Sequence, residues 1–389
     1  MPAQVWIDGT EVTNVCVEGS STRKLNLPST ATVKIPMDYA IGGPGSRLKI
    51  SIDGTLHHHG TVLLCETDTG PDIGYTVYNS SDPMELWQWR PARDPDGDYS
   101  NPTFIEDNVT GPQIMQAILT QSEDDSGGIV GVGEGPLFVS LGGFETGGVD
   151  LTGAPTDWPM SIMEIAQLLC STGALDIVLT PIDSGGNMAQ VDCYNGDYGS
   201  DLSGSVVFQY GTGAFNVSRM RVVEDITNAC NKLRYLLGPR VGTAADPGAF
   251  QHWAGSVEGG ALMPDPPQSD IDALIASSRA AYGVRSEIKI FDARGDEAIV
   301  AHDLYRRLWQ LETWSRAQPR FMVHITPTRE TAINSFGVGD LVGVQASSAV
   351  RGGFSGAQRV YQYTVGWDGD GVLAITELQT SPNQEGAIR

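Results

Sequence analysis

Through residues 1–92 apolar and polar positions alternate in short runs, the spacing of strands whose side chains point to opposite faces in turn. Val5–Ile7 leads into an Asp8-Gly9 turn and a second run that reaches Val17. Ala31–Ile35 alternates as a half-buried strand does, and Arg47–Ile52 places Leu48, Ile50 and Ile52 on one face. Asp53-Gly54 suits a two-residue hairpin, so the chain is predicted to return through Leu56–Cys65. Tyr75–Tyr78 is a further short strand. Asp82-Pro83 ends the pattern, and Met84–Trp89 is expected to pack as a compact segment on the end of a barrel.

The period then changes. Residues 94–102 form a loop by composition, and Pro112 fits a first helical turn, with Ile114, Ala117, Ile118 and Gln121 on one face. The acidic, Gly-rich stretch 122–135 is expected to be a mobile loop. Ser161 and Glu164 form a capping box at the start of a second helix, whose stripe is Ile162, Ile165 and Leu169 and whose stop is Gly173. Leu175–Thr180 and Met188–Tyr194 are predicted to pair around Asp183–Gly186. Strand, helix and strand are expected over Phe215–Val223, Glu224–Lys232 and Leu233–Leu237. After a Gly/Pro-rich stretch to Gln268, two helices are predicted. One is Asp270–Tyr282, and the longest runs from Asp296 to about Gln318 with Val300, Leu304, Leu308 and Leu311 on one face. The β pattern resumes at Arg320–Thr326 and continues through Phe336–Val344, Arg359–Trp367, an Asp368–Gly371 turn and Val372–Leu378. Both ends of the chain thus place an alternating strand before an Asp-Gly hairpin and a returning apolar strand.

Composition supports a mainly β chain with α+β inserts: 47 Gly and 22 Pro among 389 residues favour many short strands. Net charge is −23, with 24 basic against 47 acidic residues, which argues against binding nucleic acid through phosphate neutralisation. The five cysteines (Cys16, Cys65, Cys170, Cys193, Cys230) are odd in number and widely spaced, so reduced buried thiols are expected rather than a disulfide framework or zinc site. Residues 1–9 pass directly into a strand pattern, and no run approaches the eighteen apolar residues of a membrane span. These features predict a protein made in a cytoplasm, with no membrane partner.

Candidate chemistry is sparse. His57, His58 and His59 are consecutive, so on a regular strand only His57 and His59 share a face. The plain expectation is a solvated strand end; the sharper reading places a His from each of three subunits around a metal on a symmetry axis. Asp94–Asp98 resembles the start of a calcium loop, but its Gly97 is fourth rather than sixth, and a turn is expected. Gly131–Gly135 lacks the flanking strand and helix of a nucleotide fingerprint. No Gly-x-Ser-x-Gly elbow exists, and the glycosylation patterns at Asn108 and Asn216 are expected to be unmodified. Trp87, Trp89, Trp309 and Trp314 are expected in a core or a subunit interface. The chain is therefore expected to carry no catalytic, cofactor-binding or metal residues and to be no enzyme.

Taken in order, a β block with Asp53-Gly54, Gly60–Val62 and Ser81–Leu86, an α+β insert, Val222–Asn231, and Phe336–Val342 with the terminal Asp-Gly hairpin resemble the tail hub proteins of long-tailed phages. The likeness is greatest to the Gp37-like minor tail proteins of phages infecting actinobacteria, in the baseplate hub family. The resemblance implies two tail-tube-like β-barrels interrupted by two smaller domains. Mapped here, residues 1–92 would be the first barrel and 93–213 an α+β insert. Residues 214–238 with 318–380 would be the second barrel, 239–317 a helical insert and 381–389 a tail. It further implies a homotrimeric ring at the virion tail tip. That ring joins the tail tube and distal tail protein ring to other minor tail or tip proteins. It surrounds the tape-measure protein and the DNA exit channel, with DNA only passing through the lumen. Unclosed sheets have edges that ring assembly would cover, and an acidic lumen would let DNA slide. The alternative reading is a tail-associated peptidoglycan or glycan hydrolase, suggested by the surplus of carboxylates and tryptophans. No space remains for a fused hydrolase domain.

Overall fold

The computed structural model describes residues 3–69, 74–90, 92, 110–124, 137–146, 161–171, 175–196, 198–211, 216–239, 250–253, 268–291, 313–314, 316–328, 333–347, 353–369 and 373–381. The first block holds β1 (Gln4–Ile7), β2 (Thr10–Glu11), β3 (Glu18–Lys24), β4 (Thr30–Pro36), β5 (Arg47–Ile52), β6 (Thr55–Asp68) and β7 (Tyr75–Ser81). Two hairpins form where the sequence predicts them. Asp8 and Gly9 sit at φ 47° and 78°, Asp53 and Gly54 at 49° and 79°. Two successive residues in the left-handed region match the right-handed twist of the flanking strands, and Asp-Gly tolerates it.

An insert follows. It comprises α1 (Gly111–Asp124), β8 (Val139–Phe144), α2 (Ile162–Ser171), β9 (Asp176–Ser184) and β10 (Asn187–Tyr194), with the strands in the order β8-β10-β9. The capping box at α2 is formed: Ser161 N donates to Glu164 Oε2 at 2.7 Å, and Glu164 N to Ser161 Oγ at 3.2 Å. Next come β11 (Val207–Tyr210), β12 (Val217–Asp225), β13 (Lys232–Pro239), β14 (Phe250–Trp253), α3 (Gln268–Tyr282) and β15 (Ser286–Phe291). Strands β14, β13 and β15 make a second small sheet. The chain ends in β16 (Arg320–Pro327), β17 (Leu341–Ala346), β18 (Phe354–Trp367) and β19 (Leu373–Ser381).

The two ends of the chain build one sheet, in the order β12-β16-β19-β18-β3-β4-β7-β6-β5-β1-β2, with β17 and β11 attached beside β18. The joint is the antiparallel β18–β3 ladder, running from Gln362 opposite Lys24 to Trp367 opposite Gly19. One hydrophobic cluster lies under both halves, with Val5, Ile35, Ile50 and Tyr78 from one side and Val323, Val342, Val365 and Leu378 from the other. A second cluster fills the insert between α1, α2 and its sheet.

Three expectations are corrected. Hydrogen-bonded ladders do not close either half into a barrel among the described residues. The path ends at β2 on one side and β12 on the other, and β11 and β12 are bridged by Asn216. Asn216 Nδ2 donates to Val207 O at 2.7 Å, and its Oδ1 accepts from Gln209 N at 2.8 Å. Residues 224–232 are not helical: β12 ends at Asp225, whose carboxylate accepts from Thr227 N at 2.7 Å in a local turn. Buried Asn231 then holds the chain in an extended exit, donating to Gly283 O at 2.9 Å and accepting from Arg285 N at 2.9 Å. Side chains that bond nearby backbone compete with the helix here. Finally, Met84 and Trp87 do not cap a barrel; they sit in the core of the insert. Of the longest predicted helix only residues 313–314 and 316–318 are described; the first four of these are helical and Gln318 is a bend. The loops at 94–102 and 125–135, together with Trp309 and Asp370–Gly371, lie outside the described residues.

Candidate functional site

The feature that could serve an assembly is the sheet face turned away from the core, which crosses the β18–β3 joint without a break. Register and alternation place Glu18, Ser20, Thr22 and Lys24 of β3 on it, beside Thr30, Thr32 and Lys34 of β4 and Gln362, Thr364 and Gly366 of β18. Small polar side chains tie neighbouring strands: Thr22 and Thr364 hydroxyls lie 2.9 Å apart across the joint, and Thr32 Oγ1 donates to Asn79 Oδ1 at 3.0 Å. Charges on this face are mixed. Lys34 pairs with Glu18 at 3.0 Å, Glu377 accepts from His324 Nδ1 at 3.0 Å, and Lys24 lies on the same face. A groove of about 500 Å³ follows the joint, lined by Glu18, Ser20, Thr32, Lys34, Trp367 and Asp368 among others.

Below the sheet, a buried polar knot holds insert and halves together. Asp176 at the start of β9 accepts from Arg359 Nη2 of β18, from Asn26 Nδ2 at 2.9 Å and from Tyr198 N at 3.1 Å. Arg359 spends its remaining donors on backbone carbonyls, with Tyr198 O at 2.7 Å and Gly339 O at 3.2 Å. Asn26 completes the knot, its Oδ1 accepting from Ile177 N at 2.6 Å. Every polar member is paired, which is what a buried charge pair requires to avoid the desolvation cost of an unmatched ion. Nothing in the local sequence around Asp176 or Arg359 signals this.

The three histidines are corrected as a group. They are not a solvated strand end: His57, His58 and His59 are 3%, 1% and 4% exposed. A bulge breaks the alternation at His57, and β9 of the insert covers His59 on the other side. Ile50 faces His58 and Ser51 faces Leu56, so His57 is an extra residue and the alternation breaks. Each ring serves a different neighbour. His57 Nε2 meets Asn334 Oδ1 at 3.3 Å, His58 Nε2 meets Ser80 Oγ at 2.9 Å, and His59 Nδ1 meets Ile182 O of β9 at 2.6 Å. Burial holds His57 down to about 4 and His58 to about 3, and lowers His59 as well, so all three are neutral at physiological pH. Buried within one protomer, they are not placed to meet a partner's histidines around a metal on an axis. Among the described residues no group of three or more His, Cys, Asp and Glu is positioned to hold a metal ion.

The tryptophans divide: Trp87 is fully buried and Trp89 is 76% exposed. All five cysteines are free thiols, and burial raises Cys193 well above the ordinary thiol range. Asn216, which carries a glycosylation pattern, is committed to the β11–β12 bridge. Among the described residues no helix is long and apolar enough to cross a membrane.

No family model and no curated protein sequence matches the chain. Solved structures do. The tail protein from Neisseria meningitidis MC58 superposes with a TM-score of 0.58 at 12% identity, over 97% of this chain and 95% of that one. The 43 kDa tail protein of prophage MuSo2 from Shewanella oneidensis gives 0.59 at 14% identity over 99% of both chains. Prophage tail protein gp18 from Listeria monocytogenes EGD-e gives 0.52 at 11% identity, over 99% of this chain and 95% of that one. At such identity the likeness is one of fold, and it runs along nearly the whole chain: this is the fold of phage tail proteins.

Proposed function

We propose that the chain is a non-enzymatic tail hub, or minor tail, protein of a phage virion, of the Gp37-like type. Three copies form a ring at the tail tip, between the tail tube with its distal tail ring and the remaining tip proteins, around the tape-measure protein and the exiting DNA. The observation that carries the reading is the β18–β3 ladder, which lays two strand-rich halves from opposite ends of the sequence side by side in one sheet. Two such halves per chain would give a threefold ring six sheet units around its axis, the number a sixfold tube presents to it. The two tube-like units are then β1–β7 and the set β11, β12 and β16–β19, whereas the sequence bounds placed β11 in the first insert and β13 in the second unit; β13 instead pairs with β14 and β15 in the second insert.

The continuous outer face is the proposed channel wall. Its Ser, Thr and Asn side chains and mixed charges offer DNA no continuous stripe of cations, which is what passage without sticking requires. On this reading the wall is polar with mixed charges rather than uniformly acidic.

Quantitative mass spectrometry of purified tail tips tests the assignment. Three copies per virion, recovered with the tip, is the expected result; loss of the protein from tips, or a copy number that does not fit a threefold ring, would sink it. Zymography of the purified protein on cell wall separates this reading from the hydrolase, with no clearing expected.

A further inference from the structure

Strand β12 presents Arg219 and Arg221 on the outer face, while Met220 and Val222 between and beyond them turn towards the core. Two residues apart on a strand, their Cα atoms are about 6.5–7 Å apart on the same side. Directly opposite on β16 stand Thr326 and His324. Together with Thr376 and Glu377 of β19 these residues line a groove of about 260 Å³. The one carboxylate in it is already engaged: Glu377 Oε1 accepts from His324 Nδ1 at 3.0 Å and from Gln379 Nε2 at 3.1 Å. Both guanidinium groups are exposed, and among the described residues neither has a carboxylate within ion-pair distance.

We propose that this groove is an oxyanion site for a phosphate group. Two planar guanidinium forks on one strand and the Thr326 hydroxyl on the next supply donors from several directions, which suits a tetrahedral anion better than a planar carboxylate. The groove is smaller than the roughly 300–1,000 Å³ of pockets that enclose a drug-sized ligand, so it takes one group and not an extended peptide. The chain carries 47 acidic against 24 basic residues, so an exposed Arg pair on one strand is a local exception; the one carboxylate lining the groove, Glu377, is held below the usual carboxylate range by its hydrogen bond to His324 and, to a lesser degree, by the Arg221 charge. The inference rests on the groove alone and stands apart from the tail assignment.

Calorimetric titration of the intact protein at low salt tests it, first with inorganic phosphate and separately with a short single-stranded DNA oligonucleotide. Saturable phosphate binding is expected. The R219A/R221A double variant should weaken it by about ten-fold or more, the loss that follows from removing charge-assisted hydrogen bonds. E377Q should strengthen it, and K24A/K34A, on the same face but outside the groove, should leave it unchanged. Both arginines are exposed, so an unchanged unfolding midpoint is expected to accompany the loss in the double variant. An oligonucleotide that binds more tightly than phosphate and loses that binding in R219A/R221A assigns the group to a phosphodiester chain. Equal or weaker oligonucleotide binding assigns it to the free ion. Absence of saturable phosphate binding, retention of binding in R219A/R221A, or an equal loss in K24A/K34A would overturn the proposal.

Discussion

Trp367 lays its indole across the backbone of Gly19, its directly opposite residue in the β18–β3 ladder. A Cβ at Gly19 would lie 2.3 Å from Cζ2 of the indole, so the absence of a side chain there is what lets the aromatic cover the joint. Trp367 is 7% exposed and belongs to the core shared by the two halves. An aromatic covering a strand glycine across the ladder supplies the packing that the glycine lacks.

Gly19→Val should therefore destabilise the protein by about 1–3 kcal/mol, the usual cost of overpacking. Trp367→Ala should cost about 3–5 kcal/mol through the cavity it leaves. In the double variant the costs should not add, because the valine then occupies space the indole vacated. Urea midpoints of the four proteins check this; strict additivity would mean the two side chains do not meet.

Acid should loosen the fold through the histidines. Their folded values lie below the ordinary 6.5, so the unfolded chain takes up protons first as pH falls. The stability they contribute as neutral groups is complete above about pH 6.5 and drains as pH falls towards 4 and 3. The loss is on the order of 2 kcal/mol for each of His57 and His58 at pH 5. Asp82 acts in the opposite sense: burial raises it to about 6, so its contribution is largest in acid and is lost as pH rises through that value. At pH 5 it returns on the order of 1 kcal/mol, less than the histidines remove. Denaturation midpoints should thus fall between pH 7 and pH 5, and less steeply in His58→Asn. An identical slope in that variant would contradict the assignment.

Asp176→Asn should cost about 3–5 kcal/mol, because Arg359 would remain buried without its counter-charge. Asp176→Asn combined with Arg359→Met should cost less than the sum of the single changes, since it removes both ions. Thermal unfolding of the single and double variants reads the coupling directly.

At α2, Ser161→Ala should lower stability by about 0.5–2 kcal/mol, and Ser161→Asp should restore most of it by capping the same amide. Thermal melts of the two variants check it; equal melting points would remove the capping role from Ser161.

What could be read from the sequence was local. Asp53-Gly54 and the Ser161–Glu164 box depend on residues two to four positions apart, and both form as their chemistry requires. The histidine strand was misread because its partners are distant. Asn334 is 277 positions from His57, and Ile182 is 123 from His59. The bulge that shifts their alternation leaves no local mark either. The Asp176–Arg359 knot spans 183 positions and looks, on each strand, like an ordinary polar residue. The predicted helix at 224–232 failed for the same reason: Asn231 is claimed by backbone at Gly283 and Arg285, which local propensity does not register. The β18–β3 ladder, on which the ring proposal rests, joins the two ends of the chain, and only the paired strands reveal it.

The most direct test of that proposal is cryo-electron microscopy of isolated tail tips. The account predicts a threefold ring of this chain in which the outer face of the β3, β4, β18 and β19 strands lines a central channel. A single copy at the tip, or a ring in which those strands face outward to solvent, would contradict it.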